Sequence, residues 1–166
     1  EILKSKSQSD KGTKKLTSIK KHIQFKNVSL SFGKTNILKN INFKIPANKT
    51  IALVGRSGAG KTTIINSILR FIDDYKGQVL LDGVDIKDFK IKSLRQNIGL
   101  IQQQPFIFPG TLFNNVKYGN IKASKKEVTD AIKKAQLWAF VQNHKKGYKT
   151  LVGENGVKLS GGQKQR

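Results

Sequence analysis

The chain has no cysteine among its 166 residues, which excludes a disulfide framework, a thiolate metal site and a thiol nucleophile. Long apolar runs are also missing. The longest are segments such as Ile51–Val54, far below the ~18 residues that a membrane-spanning helix needs. The first residues contain no apolar stretch of the kind found in signal peptides. We therefore expect no membrane span and no secretion signal in this sequence, and a cysteine-free chain fits the cytoplasm.

Acidic residues are scarce: ten Asp and Glu stand against 32 Lys and Arg, which gives a net charge of +22. Such a balance is typical of proteins that bind nucleic acid or anionic membranes. However, 28 of the 32 basic residues are lysines and only four are arginines, and Ile and Asn are abundant as well. Because A/T-rich codons encode Lys, Asn and Ile, genomic base composition explains much of the excess. We expect no nucleic-acid partner.

The composition divides the chain into two regions. Residues 1–21 are rich in Lys and Ser and poor in large apolar residues, which predicts a basic, solvated linker or tail. Residues 22–166 contain the patterned part of the sequence. Alternation over His22–Phe32, with a slip at Lys26-Asn27, and again over Ile37–Ile45 predicts two antiparallel strands, the first of them with a bulge.

The remaining patterns predict an α/β fold. Thr50–Val54 is a short continuous apolar run, as expected of a strand that is buried on both faces. Other apolar runs predict strands at Gln78–Leu81, Val84–Ile86 and Ile98–Ile101, helical spacing predicts helices at Thr62–Ile72, Thr111–Val116 and Lys125–Gln142, and Gly147–Gly162 is predicted as a loop.

The segment Gly55–Thr62 matches the phosphate-loop pattern G-x-x-x-x-G-K-[ST]. Its glycines let the backbone approach a polyphosphate closely, so that successive N–H groups point at phosphate oxygens. Lys61 adds a positive charge for the β- and γ-phosphates, the Thr62 hydroxyl is a hard ligand for Mg²⁺, and the following helix offers its positive N-terminal end. A flexible Gly-Ser loop is the alternative, and the position between a strand and an amphipathic helix argues against it.

A second motif is Leu159-Ser160-Gly161-Gly162-Gln163. Ser160 can cap a helix that begins near Gly161, and the small residues leave backbone N–H groups open to an anion. By itself this motif could be no more than a capped helix. Together with the phosphate loop it becomes far more specific.

With both motifs, the chain is similar to the nucleotide-binding domain of ATP-binding cassette (ABC) transporters from about Ile23 to Arg166. The loop at 55–62 resembles the Walker A motif, and Leu159–Gln163 resembles the family's signature sequence. Between them, Ile98–Pro105 resembles the Q-loop, with Gln103 at its glutamine. Phe32 stands where the family places the aromatic residue that stacks on adenine. The segments Phe108–Val116 and Thr150–Gly156 resemble exporter-type members of the family.

The resemblance implies a P-loop NTPase core with a small antiparallel β-subdomain and a helical insertion from about Thr111 to Val157. It also implies that the protein binds ATP and Mg²⁺ as the motor of an exporter. ATP contacts would come from Phe32, Gly55, Arg56, Ser57, Gly58, Ala59, Gly60, Lys61, Thr62, Thr63 and Gln103, Mg²⁺ ligands from Thr62 and Gln103, and contacts to a partner's ATP from Ser160, Gly161, Gly162 and Gln163.

Two partners are implied in the same way. One is a second nucleotide-binding domain, identical or different, and the other is the transmembrane domain of an ABC exporter. That second domain, absent from this chain, would hold the protein at the cytoplasmic face of the cell membrane and select the transported substrate.

Three features depart from the family pattern. Phe32 lacks a tyrosine hydroxyl, which stacking does not need. Asn48 stands where the family usually has Gly, and Asn tolerates left-handed backbone well. The Walker B aspartate, the catalytic glutamate, the D-loop and the switch histidine have no counterpart in residues 22–166. We therefore expect a C-terminally incomplete domain with no catalytic residue, inactive alone, although the complete protein would be an ABC-type ATPase.

Several alternatives stay open at this stage. A non-transport ABC ATPase that acts on nucleic acid would suit the net charge, and a truncated, inactive fragment would suit the missing motifs. Three aspartates, Asp82, Asp85 and Asp88, could form a metal site, although turn and surface roles are favoured. We expect His22 and His144 to be surface residues.

Overall fold

The computed structural model describes residues 10–166, so the first part of the predicted linker, residues 1–9, lies outside the described residues. The chain forms two compact units, one that ends at Gly99 and one that begins at Leu100. The first is built on a β-sheet and the second on short helices.

The sheet of the first unit has four antiparallel strands in the order β2-β1-β3-β4. β1 spans His22–Phe32, β2 spans Thr35–Pro46, β3 spans Lys76–Leu81 and β4 spans Val84–Asp85. The predicted antiparallel pair is confirmed as the hairpin β1–β2. The two short strands predicted near residues 78–86 are confirmed as well, with slightly different ends.

β1 contains the bulge that the slip in its alternation predicts. Its pairing with β2 shifts register between Phe25 and Val28, and Asn27 has a φ of 52°. The Asn27 N–H donates instead to the Asn42 side chain, at 2.9 Å. Residues three apart point to opposite faces of a regular strand. The bulge is why Phe25 and Val28 are both buried, with exposures of 1% and 0%.

The core of the first unit joins the sheet to its helices. Its fully buried members are Phe25, Val28, Val79, Leu81, Ile86 and Leu94. Phe25 also stacks on Phe43 of β2, with 4.6 Å between the ring centroids. The sheet therefore forms a rigid support for the loops and helices packed against it.

Two helices complete the first unit. α1 spans Lys61–Ile68 and ends earlier than the predicted Ile72, because Arg70 adopts a left-handed φ of 52° and closes a helix-terminating turn. α2 spans Ile91–Gln96, after a short 3₁₀ turn at Ile86–Asp88. The sequence patterns missed α2, since six residues are too few to show a helical period.

Two of the predicted strands are wrong. Neither Thr50–Val54 nor Ile98–Ile101 forms a strand, and Val54 and Ile101 are 92% and 76% exposed. A strand exists only where a neighbouring strand accepts and donates its hydrogen bonds. Within residues 10–166 neither segment has such a neighbour. An apolar run indicates that a segment can be buried, but it does not indicate whether a neighbouring strand is present to pair with it.

Residues 10–21, called the N-terminal strap below, lie against the first unit rather than in solvent as a linker would. Leu16 is 7% exposed, and its N–H donates to Ser93 Oγ at 2.8 Å. At the end of the strap, the N–H groups of Lys20, Lys21 and His22 donate to the Asp82 carboxylate at 2.7, 2.7 and 2.9 Å.

The second unit contains the remaining helices. α3 spans Leu112–Lys117, α4 spans Lys125–Lys134, α5 spans Trp138–Asn143 and α6 spans Gly161–Gln165. Their core includes Leu112, Val128, Ile132, Val141 and Val152. The helix predicted at Thr111–Val116 is confirmed as α3, and Thr111 itself caps it, since its hydroxyl accepts the Asn114 N–H at 3.1 Å.

The single helix predicted over Lys125–Gln142 is wrong, because the chain breaks it into α4 and α5. Gln136 has a φ of 57°, and the Leu137 N–H donates to the Ile132 carbonyl at 3.0 Å, which terminates α4. Ile132 and Leu137 belong to the same core on either side of the break. The apolar spacing therefore continues through the turn and hides it.

Candidate functional site

The loop 55–60 is exposed over nearly its whole length, and two of its glycines have positive φ. Gly58 has a φ of 80° and Gly60 a φ of 85°, a region that side chains with a Cβ rarely adopt. A turn over residues 56–59 contains Gly58, and in it the Ala59 N–H donates to the Arg56 carbonyl at 3.2 Å. The loop thus bends sharply and leads directly into α1.

Lys61, the first residue of α1, points back into this loop. Its ammonium donates to the carbonyl oxygens of Gly55 at 2.8 Å and Arg56 at 2.7 Å. A positive charge is therefore fixed at the mouth of the loop, beside the positive end of the α1 macrodipole. The helix begins without a side-chain cap, and its N-cap is Gly60. Both features favour an anion at this point.

Gly60 contacts the sheet, which positions the loop. A Cβ added to Gly60 would lie 2.7 Å from Leu38 Cδ2 and 3.3 Å from the Ile37 carbonyl oxygen. Both residues belong to β2, close to the hairpin turn where Phe32 pairs with Thr35. Because a strand advances about 3.3 Å per residue, the hairpin end lies within roughly 10 Å of the loop. Phe32 is 56% exposed there, so its ring is available to a planar ligand.

Thr62 and Thr63 occupy the first turn of α1. Thr62 is exposed, so its hydroxyl is free to meet a cation. Among residues 10–166 there is no group of three or more His, Cys, Asp or Glu side chains that could hold a metal by itself. Mg²⁺ usually takes only one or two protein oxygens and completes its shell with water and phosphate. The single hydroxyl next to the loop fits that mode of binding.

The second motif forms a capped helix in the second unit, as predicted. The Gln163 N–H donates to Ser160 Oγ at 3.2 Å, and the Ser160 N–H donates to Gln163 Oε1 at 2.9 Å. This reciprocal capping box begins α6. Gly161 and Gly162 are both exposed, and a Cβ on either would meet nothing within 4 Å. The backbone here is accessible to a large ligand.

Gln103, the remaining predicted Mg²⁺ and ATP contact, lies in the second unit in a segment without regular secondary structure, and it is exposed. Its predicted role therefore stays a prediction.

Sequence reasoning missed two arginines that fix the far end of α1. Arg70 is 3% exposed and donates to the Phe89 carbonyl at 2.8 Å. Arg95 donates to the carbonyls of Leu69 and Arg70, both at 2.9 Å. A signal was present: in a chain with 28 lysines and four arginines, the few arginines occur where a planar, multiply donating group is needed.

The three aspartates considered as a metal site each have a separate structural role. Asp82 binds the strap as described, Asp85 accepts the Lys87 N–H at 2.9 Å, and Asp88 pairs with Lys14 at 3.1 Å. The turn and surface interpretation is confirmed. His144 is exposed as predicted, and its ring lies 4.0 Å from the Phe140 ring centroid, whereas His22 is half-buried.

Comparison with known proteins identifies the family. Residues 38–166 match the ABC transporter family. An ATP-dependent lipid A-core flippase of Haemophilus influenzae (strain 86-028NP) is 45% identical over 99% of this chain and 29% of that protein. ABC transporter B family member 13 of Arabidopsis thaliana is 44% identical over 91% of this chain and 12% of that protein.

A solved structure leads to the same family. It is that of a bacterial Atm1-family ABC exporter with ATP bound, which has a TM-score of 0.84 and 38% identity over 90% of this chain and 27% of that chain. The chain belongs to the ABC transporter family, and its mixed α/β fold is that of part of a nucleotide-binding domain. It spans less than a third of the length of these relatives. None of the helices in residues 10–166 is long and apolar enough to cross a membrane.

Proposed function

We propose that this chain is the ATP-binding part of the motor of an ABC exporter, and that the complete protein hydrolyses ATP to move a substrate across a membrane. The observation that carries the proposal is the loop 55–60, bent by two positive-φ glycines and closed by the Lys61 ammonium at the start of α1. Backbone N–H groups, a helix N-terminus and a cation at one point form a site for polyphosphate.

The neighbouring groups favour a nucleoside triphosphate over a simple phosphate. Phe32 is exposed on the hairpin whose β2 strand contacts Gly60, and a base can stack on its ring. The Thr62 hydroxyl would hold Mg²⁺ together with phosphate oxygens, and the family resemblance assigns Gln103 a role in Mg²⁺ binding as well. The magnesium ion would neutralise phosphate charge during phosphoryl transfer. In this arrangement Arg56 and Ser57 would contribute backbone donors, and Ala59, whose N–H closes the turn onto the Arg56 carbonyl, would line the loop.

The signature residues would act on the ATP of a partner. Their capping box orders the backbone of Gly161 and Gly162, and these exposed N–H groups would approach the γ-phosphate held by a second nucleotide-binding domain. Each ATP would thus lie between the Walker A loop of one domain and Ser160–Gln163 of the other. The dimer would close on ATP and open after hydrolysis.

The second unit also carries a surface that supports a membrane-domain partner. Phe106, Phe108 and Tyr118 are 64%, 40% and 62% exposed, and their rings contact one another in sequence at 4.9 and 4.4 Å between centroids. A cluster of exposed aromatic rings is costly in water and is typical of an interaction surface. Docking of a transmembrane domain there would place the chain at the cytoplasmic face of the membrane.

ATP titration of the complete protein, as wild type and as Lys61→Ala, tests the proposal. Removal of the ammonium deletes a charge-assisted contact, so affinity should fall by roughly 1.5–3 kcal/mol, more than tenfold. Lys49→Ala removes an exposed lysine outside the loop and should have little effect. Equal losses in both variants, or no ATP binding by the wild type, would contradict the assignment.

A further inference from the structure

Arg70 stands where a helix-terminating turn usually has glycine. After α1 the Arg70 N–H donates to the Ser67 carbonyl at 3.1 Å and the Phe71 N–H donates to the Asn66 carbonyl at 2.9 Å, which is the hydrogen-bond pattern of a Schellman motif. Its left-handed position holds an arginine with a φ of 52°. A strained non-glycine residue persists only where the surrounding structure holds it in place, and for Arg70 the contacts of the buried side chain do so.

The Arg70 side chain turns inward and joins three segments of the first unit. Besides the Phe89 carbonyl, it pairs with the Asp73 carboxylate at 3.2 Å, and its guanidinium lies 3.8 Å from the Asp10 carboxylate. Phe89 lies between the 3₁₀ turn and α2, and Asp10 begins the N-terminal strap. The buried Arg70 side chain thereby links the C-terminal end of α1 to the strap.

Gly12 of the strap packs closely against the Phe89 carbonyl, the same group that accepts a hydrogen bond from Arg70. A Cβ added to Gly12 would collide with the oxygen and carbon of Phe89, so only glycine fits this crossing. The two residues that flank Phe89 also bind the strap. The Asp88 carbonyl accepts the Thr13 and Lys14 N–H groups at 2.9 Å, and the Lys90 N–H donates to the Lys14 carbonyl at 2.8 Å. Strap, Phe89 and Arg70 form one continuous set of contacts.

A second arginine binds the turn that follows α1. Arg95, in the last turn of α2, donates to the carbonyls of Leu69 and Arg70, and its guanidinium lies 4.6 Å from the Phe71 ring centroid. The Asp10 carboxylate meanwhile accepts the N–H of Ile91, the first residue of α2, at 3.1 Å. Because α1 has only eight residues, a shift at its C-terminal end is passed to Lys61 over little more than two turns.

We propose that Arg70 is a positioning residue for nucleotide binding, through which the N-terminal strap at Asp10–Lys14 sets the orientation of α1 and therefore the affinity of the loop 55–62. This inference rests on the proposed ATP site. It adds that the strap adjusts this site from the opposite end of the helix.

The test compares three variants in the complete protein: Gly12→Ala, Arg70→Lys and Asp10→Asn. Gly12→Ala displaces the Phe89 carbonyl. Arg70→Lys keeps the charge but loses the planar guanidinium whose separate nitrogens reach Phe89 and Asp73. Asp10→Asn keeps an acceptor for Ile91 but removes the charge. Gly119→Ala is the matched control, because its added Cβ would meet nothing closer than 3.7 Å. ATP binding, KM and kcat are measured below the onset of thermal unfolding, which is recorded separately.

The first two variants should weaken ATP binding and raise KM by about five- to tenfold, and Asp10→Asn by about two- to threefold, with kcat at saturating ATP nearly unchanged. Gly119→Ala should match the wild type. Variants that unfold at lower temperature yet bind ATP with wild-type affinity would overturn the inference, since Arg70 would then serve stability alone. If Gly12→Ala or Arg70→Lys fails to fold, the ATP affinity of Asp10→Asn still tests the inference, because Asp10 is exposed and its substitution leaves the core intact.

Lys61→Ala in the same series separates the two proposals. If it weakens ATP binding while the strap and Arg70 variants do not, the ATP site stands and the positioning role is wrong. If Lys61→Ala leaves binding unchanged, the proposed ATP site itself is wrong.

Discussion

The Lys61 ammonium lies 2.8 Å from the carbonyl oxygen of Gly55, six residues before it in the chain. With the Arg56 carbonyl as its second acceptor, the lysine closes the loop upon itself. A phosphate that enters the loop replaces these neutral acceptors with charged ones, which bind an ammonium more strongly. In the proposed ATP site, the same side chain would therefore both shape the loop and bind the phosphate.

This double role gives a prediction for the nucleotide-free protein. Lys61→Ala should lower the free energy of unfolding by about 1 kcal/mol without ATP, because two loop hydrogen bonds are lost at a partly exposed site. Urea denaturation of the nucleotide-binding domain measures it, with Lys49→Ala as the control. ATP at a hundred times Kd should then stabilise the wild type by about 2.7 kcal/mol and the variant far less. An unchanged unfolding midpoint for nucleotide-free Lys61→Ala would mean that the loop closes without its lysine.

Phe32 gives the second prediction. If its exposed ring stacks on adenine, Phe32→Ala should weaken ATP binding by about 1–3 kcal/mol, as for other base–aromatic contacts. Phe32→Tyr keeps the ring and should bind like the wild type. Titration with ATP and with inorganic triphosphate separates base from phosphate contacts, since triphosphate binding should not change. A variant that loses stability but keeps its ATP affinity would show that Phe32 only supports the hairpin.

The sequence predicted those structural features whose interacting residues all lie within one short segment. The bulge at Asn27, the cap at Ser160 and the loop into α1 each depend on residues a few positions apart, and their patterns predicted them. Asp82 was expected to serve a turn or the surface, and it does. The family followed from two motifs that are rarely found together.

Most of what failed depended on distant partners, and the break at Gln136 is the local exception. Thr50–Val54 has a strand's composition, but no neighbouring strand among residues 10–166 completes its hydrogen bonds. Gln136 breaks a helix whose apolar spacing runs on unchanged. The strap was mistaken for linker because its lysines face water while its backbone and Leu16 bind Asp82 and Ser93. Such contacts join residues more than sixty positions apart, and no local pattern contains them.

The third prediction concerns the contact between the loop and the sheet. Gly60→Ala should destabilise the domain by about 2–3 kcal/mol, because alanine is strained at a φ of 85° and its Cβ would crowd Leu38 and the Ile37 carbonyl. Gly58→Ala is the matched control. Its φ of 80° imposes similar strain, but its Cβ would meet nothing within 4 Å, so it should cost only about 1 kcal/mol. Equal costs in chemical denaturation would show that the Leu38 contact yields freely.

Asp82 gives a prediction for pH. The Lys20 N–H, followed by those of His22 and Lys21, donates to its carboxylate and lowers its pKa below the usual value. A group whose pKa is lower in the folded state stabilises the protein above its unfolded pKa of about 4 and loses that contribution as the pH falls through the folded value. Asp82→Asn should therefore be less stable than the wild type at neutral pH, with the difference shrinking below about pH 4.

Unfolding midpoints of both proteins from pH 7 to pH 2.5 measure this effect, with Asp130→Asn on the exposed surface of α4 as the control substitution. A difference between wild type and Asp82→Asn that stays constant through the acid range would mean that the charge of Asp82 does not hold the strap.

The last prediction compares two helix ends that share one terminating motif. α1 and α4 both end in a Schellman motif, with Arg70 at a φ of 52° and Gln136 at a φ of 57° in the position that glycine prefers. Gln136 is exposed, so Gln136→Gly removes strain and loses little, and it should leave stability unchanged or raise it by up to about 1 kcal/mol. Arg70→Gly relieves the same strain but empties the buried site between Phe89 and Asp73, so it should destabilise by about 3 kcal/mol or more. Thermal and urea unfolding of the two variants measure the contrast. Similar effects in both would mean that the arginine is held in its strained position by the turn alone, and the buried contacts of its guanidinium would then contribute nothing to the placement of the P-loop helix.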